Sequence, residues 1–170
     1  MDNNYQEMFD ALDVCYDKAL VMPCLVLIYT IIDSISWLAY GACEQSSKKR
    51  FILWVEKYYL GRLEGSCDSI DLYAARCSIL HGLSWESNLT KDGKAKRLFY
   101  AIGRNGKKPG ELDTRIWSQD QVASMQIDSM ISSLKLAMAC FFEDAKKDDV
   151  LSQRLENTDG QIVGMIRLED

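Results

Sequence analysis

Apolar residues recur every three or four positions along most of this 170-residue chain, and that spacing constrains its fold more than any other feature. Such a period places the apolar side chains on one face of an α-helix. Glycine or proline stands near several of the expected helix ends, where these residues favour a stop or a start. The pattern predicts helices over residues 5–19, 23–41, 48–60 and 69–82, and a longest helix over 118–147 that Ser118 and Gln121 open as a capping box.

Short connections between most of these segments predict a mainly all-α fold, a bundle of four to five helices. The length suits a single domain covering 1–170, and the 48% of hydrophobic residues suffice for a core without metal or disulfide staples. Two runs, 98–102 and 161–168, read as strands and are candidates for one small two-stranded β element. The connection over 83–118 is the long one, and long loops in compact domains often carry function.

The spacing of the cysteines and the character of the first residues indicate the cellular compartment of the protein. The six cysteines are widely spaced without a C-x-x-C pair, so the sequence predicts neither a metal site nor a cofactor. The first residues are polar and acidic, unlike a signal peptide. The most apolar stretch, 19–32, is too short to cross a bilayer and is typical of a core helix. We therefore expect a soluble cytoplasmic protein with free thiols and no membrane contact.

The segment 69–82 is apolar over an unusually wide arc when its residues are placed about 100° apart. It predicts a helix packed on two sides, one facing the core and the other a partner, most simply a second copy in a homodimer. Arg76 lies inside the arc, where an arginine needs a counter-charge or an anionic ligand. His81, the single histidine, points about 140° away from Arg76 on an ideal helix. A loosened last turn or a second copy would bring the two together. The wide arc consists of two neighbouring apolar stripes, and the second of them contains Leu72, Ile79 and Leu83.

The string Arg76-Cys77-Ser78-Ile79-Leu80-His81 is an R-x4-H pattern at the end of a helix, and it resembles the signature of the HEPN family. The resemblance implies a compact helical bundle that dimerises so that both motifs line one cleft. It also implies a metal-independent endoribonuclease acting on RNA, a toxin or defence component with an antitoxin or other protein partner. Arg76 and His81 would be the catalytic residues. Active members commonly carry a polar residue after the arginine, whereas this chain has Cys77.

The chemistry of these residue types agrees with that activity. A 2′-hydroxyl that cleaves its own RNA strand needs a base and an acid, and histidine serves both roles near neutral pH. An arginine stabilises the charge that develops on the phosphorus oxygens. Two copies of His81 in a dimer would divide the two proton transfers between them. No metal is needed.

A basic segment follows the motif. Although the chain carries a net charge of −5, residues 91–108 hold seven basic residues and one acid, so this stretch is +6 and the remainder −11. A local basic patch can bind a phosphate backbone, and a solvated loop is the alternative. The candidate RNA-binding residues are Lys91, Lys94, Lys96, Arg97, Arg104, Lys107 and Lys108.

Other interpretations of the same residues stay open. Arg76 would form a structural ion pair if it met Asp33 or Glu56, and His81 would then simply end the helix. Two other interpretations of the whole chain stay open as well: a catalytically inactive HEPN-like binding or dimerisation module, and an unrelated helical bundle serving as an interaction protein. We expect the tryptophans to belong to the core rather than to stack on bases: Trp37, Trp54, Trp85 and Trp117.

Overall fold

The computed structural model describes residues 3–103 and 120–158, and the chain is mainly helical there. The prediction of a mainly α fold is therefore confirmed. The helices are α1 (Asn3–Asp17), α2 (Val21–Tyr40), α3 (Ser47–Trp54), α4 (Ser69–Gly82), α5 (Asn88–Lys91), α6 (Ile127–Ala145) and α7 (Asp149–Thr158). A π-helical turn, Val55–Tyr59, and a 3₁₀ turn, Leu60–Arg62, continue α3. The strands are β1 (Arg97–Ala101) and β2 (Val122–Gln126).

Helix α2 lies at the centre of the core and contacts α1, α3, α4, α6 and α7. Large aromatic side chains fill the space around it, among them Trp54, Tyr59 and Phe141, each completely buried. Burial of one such side chain contributes about 1.5–3 kcal/mol, so these rings account for much of the stability of the bundle. α2 therefore sets the position of every residue that projects from it towards α4.

Helix α2 continues beyond the end of the apolar stretch 19–32, as far as Tyr40. Within the described residues it is the one helix that is long and apolar enough to cross a membrane on length and composition alone, with a mean hydropathy of 1.8 and half of that window buried. Core helices of soluble proteins meet the same criteria, as do signal sequences near an N-terminus. The absence of a membrane contact thus stays a prediction.

The two strands correct the prediction for the longest helix. Residues 122–126 pair in parallel with β1, from Arg97 opposite Val122 to Ala101 opposite Gln126, and α6 begins only at Ile127. Pairing with a distant strand satisfies the backbone groups of 122–126 as well as a helical turn would, and local periodicity carries no sign of it. The predicted cap residue Ser118 and the predicted strand 161–168 lie outside the described residues.

Helix α4 is packed on two sides, as the wide arc predicted, but its own chain supplies both sides. It contacts α2 and α3 on one side and β1 on the other. Leu72 and Ile79 are buried, whereas the prediction that Leu83 shares their environment is wrong, because 67% of its surface is exposed. Leu83 ends the helix in the left-handed conformation (φ 44°), which turns the chain sharply away from the core. The wide arc therefore no longer requires a second copy.

Candidate functional site

Arg76 is held in place by α2. Its Nε donates a 3.1 Å hydrogen bond to Asp33 Oδ2, and its Nη2 forms an ion pair with the same oxygen. Only 12% of the Arg76 side chain and 26% of the Asp33 side chain are exposed. Of the two carboxylates considered from the sequence, Asp33 is the partner, while Glu56 accepts a 2.6 Å hydrogen bond from the hydroxyl of Ser69.

The start of α4 explains why the helix presents Arg76 at this depth. Asp68 is the N-cap, and its side chain accepts from the backbone N–H of Asp71 while Asp71 accepts from that of Asp68. This reciprocal capping box fixes the first turn. Asp71 also accepts a 2.6 Å hydrogen bond from the backbone N–H of Lys96, which ties the helix to the start of β1. The capping box and the hydrogen bond to Lys96 together fix how α4 is rotated about its axis, and hence the direction in which Arg76 points.

Arg76 and His81 meet within one chain. Nη1 of Arg76 lies 2.8 Å from Nε2 of His81, although the ideal helix separates the two positions by about 140°. The guanidinium is long enough to follow the helix surface to the last turn once Asp33 holds its other edge. Neither a loosened turn nor a second copy is needed for this contact.

The hydrogen bond defines the protonation of His81 in this arrangement. A guanidinium nitrogen only donates, so Nε2 of His81 accepts and the proton of the neutral ring is on Nδ1. Burial lowers the pKa of Arg76, but the hydrogen bond and charge attraction to Asp33 outweigh burial and raise it above its ordinary value. Arg76 is therefore a permanent cation between a carboxylate and a neutral imidazole.

Two concave surfaces flank these three residues. The first, here called the His81 groove, has a volume of about 440 Å³ and is lined by Lys48, Tyr73, Cys77, Ser78, His81, Gly82 and Ser84 together with residues 86–89. The second, here called the Asp33 groove, has a volume of about 300 Å³ and is lined by Thr30, Asp33, Ser34, Ser36, Trp37, Ser47, Arg50 and Leu80. His81 lines the first groove and Asp33 the second, while Arg76, which contacts both, lines neither. The row Asp33–Arg76–His81 between the two grooves is here called the ridge.

Cys77, the residue that departs from the family pattern, faces the His81 groove and is partly buried. It interacts with the phenol of Tyr73, whose pKa is raised by burial and by that hydrogen bond. The raised pKa favours the neutral phenol of Tyr73, which therefore adds no charge to the groove. The cation that does line it is Lys48, whose Nζ lies 5.8 Å from the centroid of the Tyr73 ring.

The candidate RNA-binding residues are dispersed rather than gathered at His81. Lys91 is exposed, and Lys94 is paired with Asp92 at 3.1 Å. Lys96 donates to the backbone oxygen of Ser66 at 2.7 Å. Arg97 forms an ion pair with Glu86, and only 14% of its side chain is exposed. Three of these four residues therefore have a partner within the protein. The remaining three candidates, Arg104, Lys107 and Lys108, lie outside the described residues.

The prediction that the tryptophans belong to the core is wrong for two of them. Trp54 is buried as predicted, but Trp37 is 52% exposed and Trp85 is 57% exposed. Trp37 lines the Asp33 groove, and Trp85 follows the left-handed turn after α4. An indole is expected inside on hydrophobicity alone, and no local signal marks these two as exposed. Trp117 lies outside the described residues.

Within residues 3–103 and 120–158, no group of three or more His, Cys, Asp or Glu side chains is placed to hold a metal ion. All six cysteines are free thiols. A scan against models of known protein families found no match, and searches of curated proteins and of solved structures found none either. What the site does is therefore argued from its residues alone.

Proposed function

We propose that this protein is a HEPN-like, metal-independent endoribonuclease in which Arg76 and His81 act on an RNA phosphodiester. The observation that supports this proposal is the 2.8 Å contact between Arg76 Nη1 and His81 Nε2 at the solvent-exposed end of α4. A fixed cation and an imidazole beside an open groove supply two of the groups that cleavage by a 2′-hydroxyl uses, a stabiliser of the phosphate charge and a base.

The reaction proceeds in one displacement. A base takes the proton of the 2′-hydroxyl, the 2′-oxygen forms a bond to phosphorus, and the bond from phosphorus to the 5′-oxygen breaks. An acid protonates the leaving 5′-oxygen. When a phosphate oxygen binds the Nη1 of Arg76, it replaces His81 as the acceptor and frees Nε2 to take the proton. Asp33 keeps the guanidinium in position during this exchange.

A homodimer is part of the proposal, because a single neutral imidazole supplies the base but not the acid. The His81 of a second copy, in its protonated form, would supply the acid across a two-fold axis. Exposed apolar side chains close to the ridge favour such an interface: Trp37, Leu83 and Trp85. The free thiols favour a reducing, cytoplasmic setting, and the family resemblance favours a toxin or defence role with a protein antitoxin.

Cleavage of single-stranded RNA in EDTA tests the proposal. We expect products with a 2′,3′-cyclic phosphate and a 5′-hydroxyl, no cleavage of DNA, and a loss of about 10²–10⁴-fold in rate for His81→Ala. Arg76→Lys should also lose activity, because lysine cannot contact Asp33 and His81 at once. The matched control is Arg62→Lys, since Arg62 contacts the carbonyl of Tyr58 and the thiol of Cys140, away from the ridge.

Two results would refute the catalytic proposal. One is cleavage by His81→Ala at the wild-type rate, which would point to a contaminating nuclease or another site. The other is a wild-type protein that binds RNA as a dimer and leaves it intact under all conditions. Thermal melts of each variant separate lost chemistry from lost folding. Sedimentation at micromolar concentration reports the dimer.

The second candidate is a catalytically inactive HEPN-like binding or dimerisation module. The observation that favours it is the engagement of Arg76 on both sides, by Asp33 and by His81. The thiol of Cys77 in place of a polar side chain points the same way. Substitution of Cys77 by Asn separates the two candidates, because a gain of cleavage would show that the remaining machinery is complete.

A further inference from the structure

An exposed aromatic cluster lies just beyond the ridge. Trp85 follows His81 by four positions, so their Cα atoms are at most about 14 Å apart. The Trp85 ring is 6.5 Å from the ring of Phe99 on β1, and the guanidinium of Arg97 lies 5.7 Å from the Trp85 centroid. Arg97 is itself held by Glu86. The indole therefore packs against Phe99 and Arg97 among the described residues, and 57% of its surface is exposed.

A cavity extends beneath this cluster. The Trp85 pocket, as we call it, has a volume of about 220 Å³ and is lined mainly by apolar side chains, including Met22, Leu25, Ala75, Ile79, Leu98 and Phe99. Ser78 and Ser84 line both this pocket and the His81 groove. The pocket and the groove are therefore neighbours that share a wall, and together they are here called the depression.

We propose that the Trp85 pocket binds a nucleobase of single-stranded RNA next to the phosphate that faces Arg76 and His81. This inference deepens the proposed function and rests on it for the identity of the ligand as RNA. A base stacks on an indole face through dispersion and π contacts that every base offers, so the pocket would tolerate any sequence. A cavity of about 220 Å³ with a mainly apolar lining has room for a planar ring system.

The charges along the depression agree with a polyanionic strand rather than an apolar peptide. Lys48 lines the His81 groove at one end, and Lys96 lines the Trp85 pocket at the other. The nearest carboxylate, Glu86, is neutralised by Arg97. A strand that inserts one base at Trp85 would therefore meet one lysine in the groove and another in the pocket lining, both able to attract its phosphates.

Equilibrium binding of a short fluorescein-labelled single-stranded RNA to the full chain tests the inference, with all variants made in His81→Ala so that the RNA stays intact. We expect Trp85→Ala to weaken binding by about 5- to 150-fold and Trp85→Phe to weaken it less, because a phenyl ring stacks over a smaller area. Stacking involves no counterions, so the dependence of binding on salt should keep its slope in Trp85→Ala. Lys48→Ala should reduce that slope.

The matched control is Leu136→Ala, which removes another apolar side chain, 60% exposed, from α6. It should leave binding unchanged. An RNA with one abasic position gives a second control. If the abasic position of such an RNA occupies the pocket, Trp85→Phe and Trp85→Ala should bind this RNA about equally weakly, because no base is present there to stack on the phenyl ring. Circular dichroism confirms that each variant is folded.

Failure of this inference is separable from failure of the proposed function. Unchanged RNA affinity in Trp85→Ala, with cleavage by the otherwise wild-type chain intact, would overturn the stacking site and leave the nuclease standing. Conversion of Trp85→Ala to a monomer would also overturn it, by assigning the cluster to a subunit interface. Loss of RNA affinity in Trp85→Ala from a chain that never cleaves RNA would support the base site and refute the nuclease.

Discussion

The ion pair between α2 and α4 gives a stability prediction whose size follows from burial. Asp33→Asn leaves Arg76 as a cation with 12% of its side chain exposed and no counter-charge. Removing one partner of a fully buried pair costs about 3–5 kcal/mol, and an exposed pair contributes about 0–1 kcal/mol. Because 26% of Asp33 is exposed, we place this pair between the limits and expect a loss of about 2 kcal/mol.

The double variant isolates the cause. Arg76→Met keeps the length of the side chain and removes the charge, so Asp33→Asn combined with Arg76→Met leaves no buried cation. We expect the double variant to be about 2 kcal/mol more stable than the sum of the single losses implies. A fixed urea slope of about 2 kcal/mol per molar would turn the single Asp33→Asn loss into a shift of about 1 M in the unfolding midpoint.

The assay is urea unfolding followed by circular dichroism at 222 nm and by tryptophan fluorescence. Asp13→Asn is the matched control, because Asp13 pairs with Lys135 at 2.8 Å but both side chains are about half exposed. It should cost less than about 0.5 kcal/mol. Single losses for Asp33 and Arg76 that simply add, with a coupling below about 0.5 kcal/mol, would refute the claim that this pair is a buried and mutually dependent unit.

Three further predictions follow from the described residues. The hydroxyls of Tyr29 and Tyr100 share a 2.8 Å hydrogen bond, so Tyr29→Phe or Tyr100→Phe alone should lower the free energy of unfolding by about 1–3 kcal/mol. The double Phe variant should recover part of that loss, because no hydroxyl is then left unpaired. Chemical denaturation measures these losses, and losses that simply add would contradict the pairing. Burial raises the pKa of Cys67 from 9.0 to about 11, which favours the neutral thiol in the fold; its contribution to stability is complete below pH 9 and is lost between pH 9 and 11. Cys67→Ala should therefore flatten that part of the alkaline stability curve, and an unchanged curve would argue against the shift. Changing the exposed Lys91 and Lys94 to Glu should weaken RNA binding and reduce the dependence of that binding on salt, without lowering the melting temperature. An unchanged salt dependence would show that both lysines are solvated and do not contact RNA.

Much of the helical framework is encoded locally. The predicted helices 23–41 and 69–82 differ from α2 and α4 by no more than two residues at either end. The N-cap of α4 is Asp68, because its short acidic side chain reaches the amide of the third helical residue. Periodicity and capping depend on neighbours in sequence, so the sequence alone suffices for them.

The start of α6 shows where local reasoning ends. Residues 122–126 have a periodicity compatible with a helix, yet they form β2 because β1 lies alongside and pairs with them in parallel. The two strands are joined by a connection of 20 residues, 102–121. Such a pairing is a property of how the chain returns on itself, and a window along the sequence contains no information about it.

The candidate site divides in the same way. Helical spacing along the chain is enough to place an arginine within an apolar arc and a histidine after it at a helix end. The packed structure is what brings the two into contact, because Asp33 projects from α2 and holds one edge of the guanidinium so that the other edge reaches Nε2 of His81. It likewise decided that Trp85 faces solvent, since the left-handed turn at Leu83 directs the chain out of the core after α4. Contacts between helices depend on side chains from distant parts of the chain, and their geometry exists only once the bundle has packed.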